Sequence, residues 1–196
     1  MPLGLKRYQN EADDHFVTFS CFRREPYLST PSARDLVEQS IESTRKKYNF
    51  KLLGYVIMPE HIHLLLSEPE TKPLATAIQS LKLSISKQSS QKPFWTTLYY
   101  DFNVFTHNKR VEKLKYMDRN PITRGLVTNP EDWQWSSYRH YSLNEPNKIQ
   151  ITNPSTTTNP VPHLRDGLIV AKVGIRATRE PSSSRLPKSL EGEPQR

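Results

Sequence analysis

All 19 aromatic side chains of this 196-residue chain (three Trp, nine Tyr, seven Phe) lie at or before Tyr141. The 55 residues that follow carry none, yet hold seven prolines and runs such as Thr156-Thr157-Thr158 and Ser182-Ser183-Ser184. Aromatic rings bring the largest blocks of apolar area to a core. A segment without them, rich in Pro, Ser and Thr, cannot offset the entropy lost on ordering its backbone. The expectation is therefore one folded domain over residues 1–141 and a disordered tail over 142–196, with a brief ordered stretch near Leu168–Val173.

Within the aromatic-bearing part, two hydrophobic periods alternate. Residues 15–22 set Phe16, Thr18 and Ser20 against Val17, Phe19 and Cys21, the period of a strand. Thr30-Pro31 is a helix start by N-cap and Pro chemistry, and Leu36, Val37 and Ile41 follow among charged residues as far as Tyr48. Residues 50–57 and 61–66 are apolar runs around Met58-Pro59-Glu60, a hairpin signal. Leu74, Ala77, Ile78, Leu81 and Ile85 fall on one helical face. After the aromatic stretch 94–105, residues 107–120 read as a third helix, stopped by Pro121. Strand, helix, hairpin and helix in this order predict an α+β fold. The leading arrangement is a ferredoxin-like (RRM-like) sandwich, an antiparallel sheet with helices on one face.

Composition narrows the chemistry. Cys21 is the only cysteine, so neither an intrachain disulfide nor a Cys-based zinc cage is available, and a buried small residue is expected there. No apolar run approaches the roughly 20 residues that span a bilayer, so no membrane partner is expected and the protein is placed in the cytoplasm. The formal charge of +8 favours anionic partners, nucleic acid among them.

Three features carry chemistry. His61-Ile62-His63 lies on a predicted strand, where i and i+2 point to the same side. Both imidazoles can then bind one divalent metal, although a bare His-x-His also fits the polar face of a half-exposed strand. Tyr116 and Asn120 are neighbours on a helix at i, i+4, off the apolar stripe of Val111, Leu114 and Met117. A tyrosine packed at the helix edge would look the same. From His107 to Arg124 the chain holds six cations (Lys109, Arg110, Lys113, Lys115, Arg119, Arg124) and two acids, a local charge of +4. That face suits a phosphodiester backbone, or is plain solvated surface. Together they make a coherent set. A phenol with a pKa near 10 is a nucleophile once deprotonated, and a metal neutralises charge on the phosphate. Imidazole nitrogens with an oxygen from Asn120 suit Mg²⁺ or Mn²⁺. The rings of Phe94, Trp95, Tyr99, Tyr100, Phe102 and Phe105 could stack bases, with core or dimer packing the plainer role for most of them. His15, His107 and His140 are expected at the surface or in packing.

Residues 54–70 (GYVIMPEHIHLLLSEPE) resemble the HUH segment of the IS200-like single-tyrosine transposases, where two His flank a hydrophobic residue. Residues 94–127 and 132–141 resemble the REP-associated tyrosine transposase branch, in which a tyrosine stands as Tyr116 does before Asn120-Pro121. The resemblance runs from about Lys6 to Tyr141. It implies His61, His63 and Asn120 as metal ligands and Tyr116 as the nucleophile, forming a 5′-phosphotyrosine and releasing a 3′-OH. It also implies a substrate of single-stranded DNA with a REP-like hairpin, held by the basic surface, with Lys6 and Arg7 contributing, and a monomeric protein, with a dimer as the alternative. The family's basic C-terminal extension is not evident after Tyr141. The competing readings are a catalytically silent module that grips hairpin DNA or RNA, and a metallohydrolase using the His pair and water; the lack of a third clustered His counts against the latter.

Overall fold

A computed structural model describes residues 13–153 of the chain. Its order is β1 (Asp14–Ser20), a 3-10 turn (Phe22–Arg24), α1 (Pro31–Tyr48), β2 (Leu52–Ile57), β3 (His61–Ser67), α2 (Leu74–Lys87), β4 (Tyr100–Val104), α3 (His107–Thr123), a second 3-10 turn (Pro130–Asp132) and α4 (Tyr138–Leu143). The four strands form one sheet in the order β2-β3-β1-β4, antiparallel throughout. This is the ferredoxin-like arrangement expected from the sequence.

The alternation read in the strands decides what each sheet face does. Val17 and Phe19 on β1, Ile62, Leu64 and Leu66 on β3, and Tyr55 and Ile57 on β2 share a core with Val37, Ile41, Ala77, Ile78 and Leu81 of α1 and α2. Those two helices are the helical layer of the sandwich. Thr30 caps α1 as its sequence suggests, its hydroxyl accepting from the Ala33 amide at 3.2 Å. The third helix, α3, lies across the opposite face, where Leu114 and Met117 pack on Phe16, Leu53, Val56 and Leu65. Gly54 permits that approach: a Cβ built there would stand 2.5 Å from Leu114 Cδ2 and 2.9 Å from Met117 Cε.

Two expectations are corrected. Pro121 does not stop α3, which runs on to Thr123. Proline forgoes only one backbone bond there, and the helix is already in its last turn. The stop is Gly125, at φ +67°. Its amide reaches the Ile122 carbonyl (2.8 Å) and that of Leu126 the Pro121 carbonyl (2.9 Å), which satisfies the carbonyls a helix end leaves bare. Nor does the folded unit end at Tyr141. Ile149 is 1% exposed in the main core, with Ile151 packed against it. The Thr152 amide donates to the Leu52 carbonyl on the outer edge of β2 (2.8 Å), and Lys148 pairs with Asp35 of α1 at 2.8 Å. Two isoleucines and backbone pairing hold this strap, a signal that an average over a proline-rich segment hides. Further along that edge, Ile57 donates to the Trp135 carbonyl and Ser137 to the Tyr55 carbonyl, each at 2.9 Å. The remainder of the expected tail, with Leu168–Val173, lies outside the described residues, as do Lys6 and Arg7.

Cys21 is buried and free. Among the described residues no helix is long and apolar enough to cross a membrane.

Candidate active site

Strand register builds one wall of the site. Thr18 stands opposite His63 and Ser20 opposite His61 in the β1–β3 ladder, so side chains at alternate positions face α3 while Phe19 and Ile62 fill the other face. His61 and His63 are each 4% exposed, with their Nε2 atoms 3.0 Å apart. Each ring is held from behind: Thr18 Oγ1 lies 2.7 Å from His63 Nδ1, and Glu60 Oε1 lies 3.2 Å from His61 Nδ1. Phe16 stacks on His63 at 5.3 Å between centroids and 16° between planes.

Helix α3 builds the other wall. Thr106 caps it, accepting from the Lys109 amide at 3.2 Å, and the stripe through Leu114 and Met117 fixes its rotation. That rotation turns Tyr116 and Asn120 towards the histidines. The Tyr116 ring meets His63 edge-on, with centroids 5.3 Å apart at 76°, yet Tyr116 stays 51% exposed. Asn120 Nδ2 is 3.0 Å from His63 Nε2. The four residues singled out by sequence therefore meet at one cavity of about 890 Å³.

Electrostatics set the state of the imidazoles. Burial is the largest cause that depresses the His63 pKa to about 3, with the positive character of His61, Arg24 and Lys113 adding to it. His61 is also lowered, by burial against the opposing pull of Glu60 and with help from Arg24 and Arg124. Both rings are thus neutral at pH 7, and each has one lone-pair nitrogen. If Glu60 and Thr18 accept from the two Nδ1–H groups, both lone pairs face each other at Nε2. Two such lone pairs repel unless a proton or a cation lies between them. Rotating the Asn120 amide exchanges its nitrogen for its oxygen at the same point. This donor set, two neutral imidazoles and an amide oxygen with oriented rear partners, fits a divalent metal. Among the described residues no three of His, Cys, Asp and Glu gather into a metal cluster, so any such metal rests on the pair and Asn120.

The expected DNA-binding cations divide into two groups. Lys113, Lys115, Arg119 and Arg124 line the cavity. Lys113 lies over Phe16 and Phe102, 5.0 and 4.8 Å from their centroids. Arg124 is tied to Glu60 at 2.8 Å, which joins the end of α3 to the turn before His61. Lys109 and Arg110 do not line the cavity: Lys109 pairs with Glu112 (2.7 Å) and Arg110 Nε with Asp14 (2.7 Å). Of the aromatic stretch, Phe94 and Trp95 are core, while Tyr100 and Phe105 are exposed.

Phe16, Thr18, Arg24 and Glu60 also line the site or support its histidines, a part that the sequence pattern does not assign to them. Thr18 was legible as the residue one strand-period beyond Phe16. Its pairing with His63 needed the register, and Arg24 needed the turn that follows β1. His15, expected at the surface or in packing, is packed: it is wholly buried, 2.8 Å from Asp101 and 3.4 Å from Glu68.

Comparison with known proteins bears on the family and the fold. The family model described as "Transposase IS200 like" matches residues 9–117, more than half the chain and a span that includes His61, His63 and Tyr116. A REP-associated tyrosine transposase of Escherichia coli (strain K12) is 20% identical over 134 residues, 68% of this chain and 81% of that one. A solved structure of a REP-associated tyrosine transposase bound to a REP hairpin shares the fold, with a TM-score of 0.64 at 19% identity, covering 81% of this chain and 98% of the other. The fold, the matched span and its relatives agree, and the chain belongs to the IS200-like transposase family.

Proposed function

We propose that this chain cuts and rejoins single-stranded DNA bearing a REP-like hairpin, with Tyr116 as the nucleophile and Mg²⁺ or Mn²⁺ held by His61, His63 and Asn120. The observation that carries this reading is the half-exposed Tyr116 ring set against buried His63 in a basic cavity. The Tyr116 ring touches His63 and Phe16 while half of the residue stays exposed, in a cavity that Lys115 and Arg119 also line.

Tyr116 Oη forms a bond to phosphorus while the bond from phosphorus to the 3′-oxygen breaks. The phenolic proton passes to solvent and the departing oxygen takes one up as a 3′-OH. A strand with a free 3′-OH then attacks the same phosphorus and expels the phenol, so the number of ester bonds is unchanged and no external energy source is needed. When bound, the divalent ion supplies a Lewis acid that offsets negative charge on the phosphate. The chain's own residues do the rest. Thr18 and Glu60 hold the imidazoles, Phe16 and Lys113 floor the cavity, and α3 keeps Tyr116 and Asn120 in one register. Cytoplasmic action as a monomer completes the reading.

The test is incubation of the protein with Mn²⁺ or Mg²⁺ and labelled hairpin single strands from beside its own gene, followed by a denaturing protein gel. A shifted, labelled band lost in Tyr116→Phe is expected. Tight hairpin binding with no band under any divalent metal would transfer the reading to a silent binding module.

A further inference from the structure

Arg24 is the one Lys or Arg lining the catalytic cavity, among the described residues, that comes from outside α3 and its cap. The others approach from the helix that carries Tyr116. Arg24 approaches from the end of β1, on the side of the histidines. A phosphodiester between the two walls would otherwise meet side-chain cations from one direction only.

The place of Arg24 is set by backbone bonds on both sides. Phe22 donates to the Phe94 carbonyl (2.8 Å), and Arg24 to the Cys21 carbonyl (3.0 Å). Cys21 donates to the carbonyl of Glu60 and Leu28 to that of Pro59, each at 2.9 Å. Those acceptors immediately precede His61, so the Arg24 turn and the histidine strand form one braced unit. The turn itself is strained. Arg23 and Arg24 have φ of +53° and +58°, a region that L side chains occupy at a cost and where Gly or Asn would be the cheaper choice. Strain of this kind persists where the surroundings enforce it, and it gathers at functional sites. The two arginines also differ in what they touch. Arg23 lies over the Phe22 ring at 5.2 Å, whereas Arg24 borders the cavity. Arg124 is neutralised by Glu60, while Arg24 has no acidic partner among the described residues.

We propose that Arg24 is a substrate-contacting residue, its guanidinium binding a non-bridging oxygen of the phosphodiester that Tyr116 attacks. This rests on the strand-transfer reading above and adds a second, opposite source of positive charge to it. The planar fork of Arg suits a phosphate better than the single ammonium of Lys. No covalent step involves Arg24; it gains and loses no proton.

The experiment compares wild type with Arg24→Ala, Arg24→Lys, Arg24→Gly and the control Arg23→Ala. Readouts are adduct formation, the salt dependence of hairpin-oligonucleotide affinity, and melting temperature. Arg24→Ala should slow adduct formation on the order of 100-fold and shrink the slope of log affinity against log salt by about 0.7–0.9, the loss of one phosphate contact. Arg24→Lys should recover the slope and part of the rate. Arg24→Gly should behave as Arg24→Ala in both assays while melting at or above the wild-type temperature, since glycine relaxes the turn. Arg23→Ala should leave rate and slope unchanged. An unchanged rate and slope in Arg24→Ala overturns the proposal, and so does a loss in Arg24→Gly that merely tracks a lower melting temperature. If wild type forms no adduct but Arg24→Ala still flattens the salt slope, strand transfer fails and the phosphate contact stands. If the slope is unchanged in that case, both fail.

Discussion

Asn120 sets its side-chain amide 3.0 Å from Nε2 of His63, across 57 residues of sequence and from a different layer of the fold. Neither residue reaches the other by local geometry. The β1–β3 register turns His63 towards α3, and the Leu114–Met117 stripe turns Asn120 towards the sheet. A metal held by this pair and His61 would therefore be fixed to the same helix as Tyr116, so that the Tyr116 ring and the cation could not drift apart independently.

Removal of the Asn120 side chain should separate metal binding from folding. Asn120→Ala is expected to lower Mn²⁺ affinity by more than about tenfold, because partners that only orient metal ligands are already worth about 10–100-fold. Asn120→Asp keeps an oxygen at the same distance from the backbone and should retain binding. Calorimetric titration of both variants with Mn²⁺ checks this, and equal affinities in the two would remove Asn120 from the ligand set.

Glu60 joins His61 to Arg124 and thereby the histidine strand to the end of α3. Glu60→Gln keeps the shape but loses the charge that holds both partners. Metal affinity should fall by about 10–100-fold, while Arg124→Ala, which leaves Glu60 beside His61, should fall less. A titration in which Arg124→Ala is the weaker binder would show that Arg124 acts through something other than Glu60.

Gly54 is the point where β2 lets α3 come close. Gly54→Ala would press a methyl against Leu114 and Met117, whose side-chain ends must shift inside a filled core. A stability loss of about 1–3 kcal/mol is expected in chemical denaturation. The same displacement moves Tyr116 relative to His63, so adduct formation should slow at denaturant-free temperatures where the variant is fully folded. Wild-type rate in a destabilised Gly54→Ala would mean that α3 tolerates a shift without losing its alignment.

Much of this was legible in the chain because it depends on period. Val17, Phe19, Ile62 and Leu64 announce a two-residue repeat, and Leu74 through Ile85 a helical one, so the elements and their order followed. His61 and His63 shared a face for the same reason, as did Tyr116 and Asn120. What was not legible depended on pairing between distant segments. Thr18 behind His63 is a matter of register, and Arg24 beside the histidines is a matter of a strained turn and its backbone bonds. The strap with Ile149 and Ile151 carries only two apolar residues in a polar, proline-rich context, and its stability comes from the edge of β2. Composition averages such a segment away.

His15 supplies one pH signature of the fold. Its ring is enclosed between Asp101 of β4 and Glu68 beyond β3. Burial alone would discourage its charge, but the hydrogen bonds and negative charges of Asp101 and Glu68 outweigh burial and raise its pKa above the ordinary 6.5. In the folded chain the ring therefore holds its proton at pH values where the unfolded chain has released it. A group raised in this way adds stability that is fully present below about pH 6.5, the unfolded value, and is lost as pH climbs through the folded one. Melting temperature should fall as the solution is taken from pH 6 upward, and His15→Gln should flatten that decline while lowering stability at pH 6, where Asp101 and Glu68 lose the cation between them. Thermal melts of both proteins across pH 5–9 decide it: parallel curves for wild type and His15→Gln would show that His15 is neutral in the fold and that its carboxylate neighbours are held by other groups.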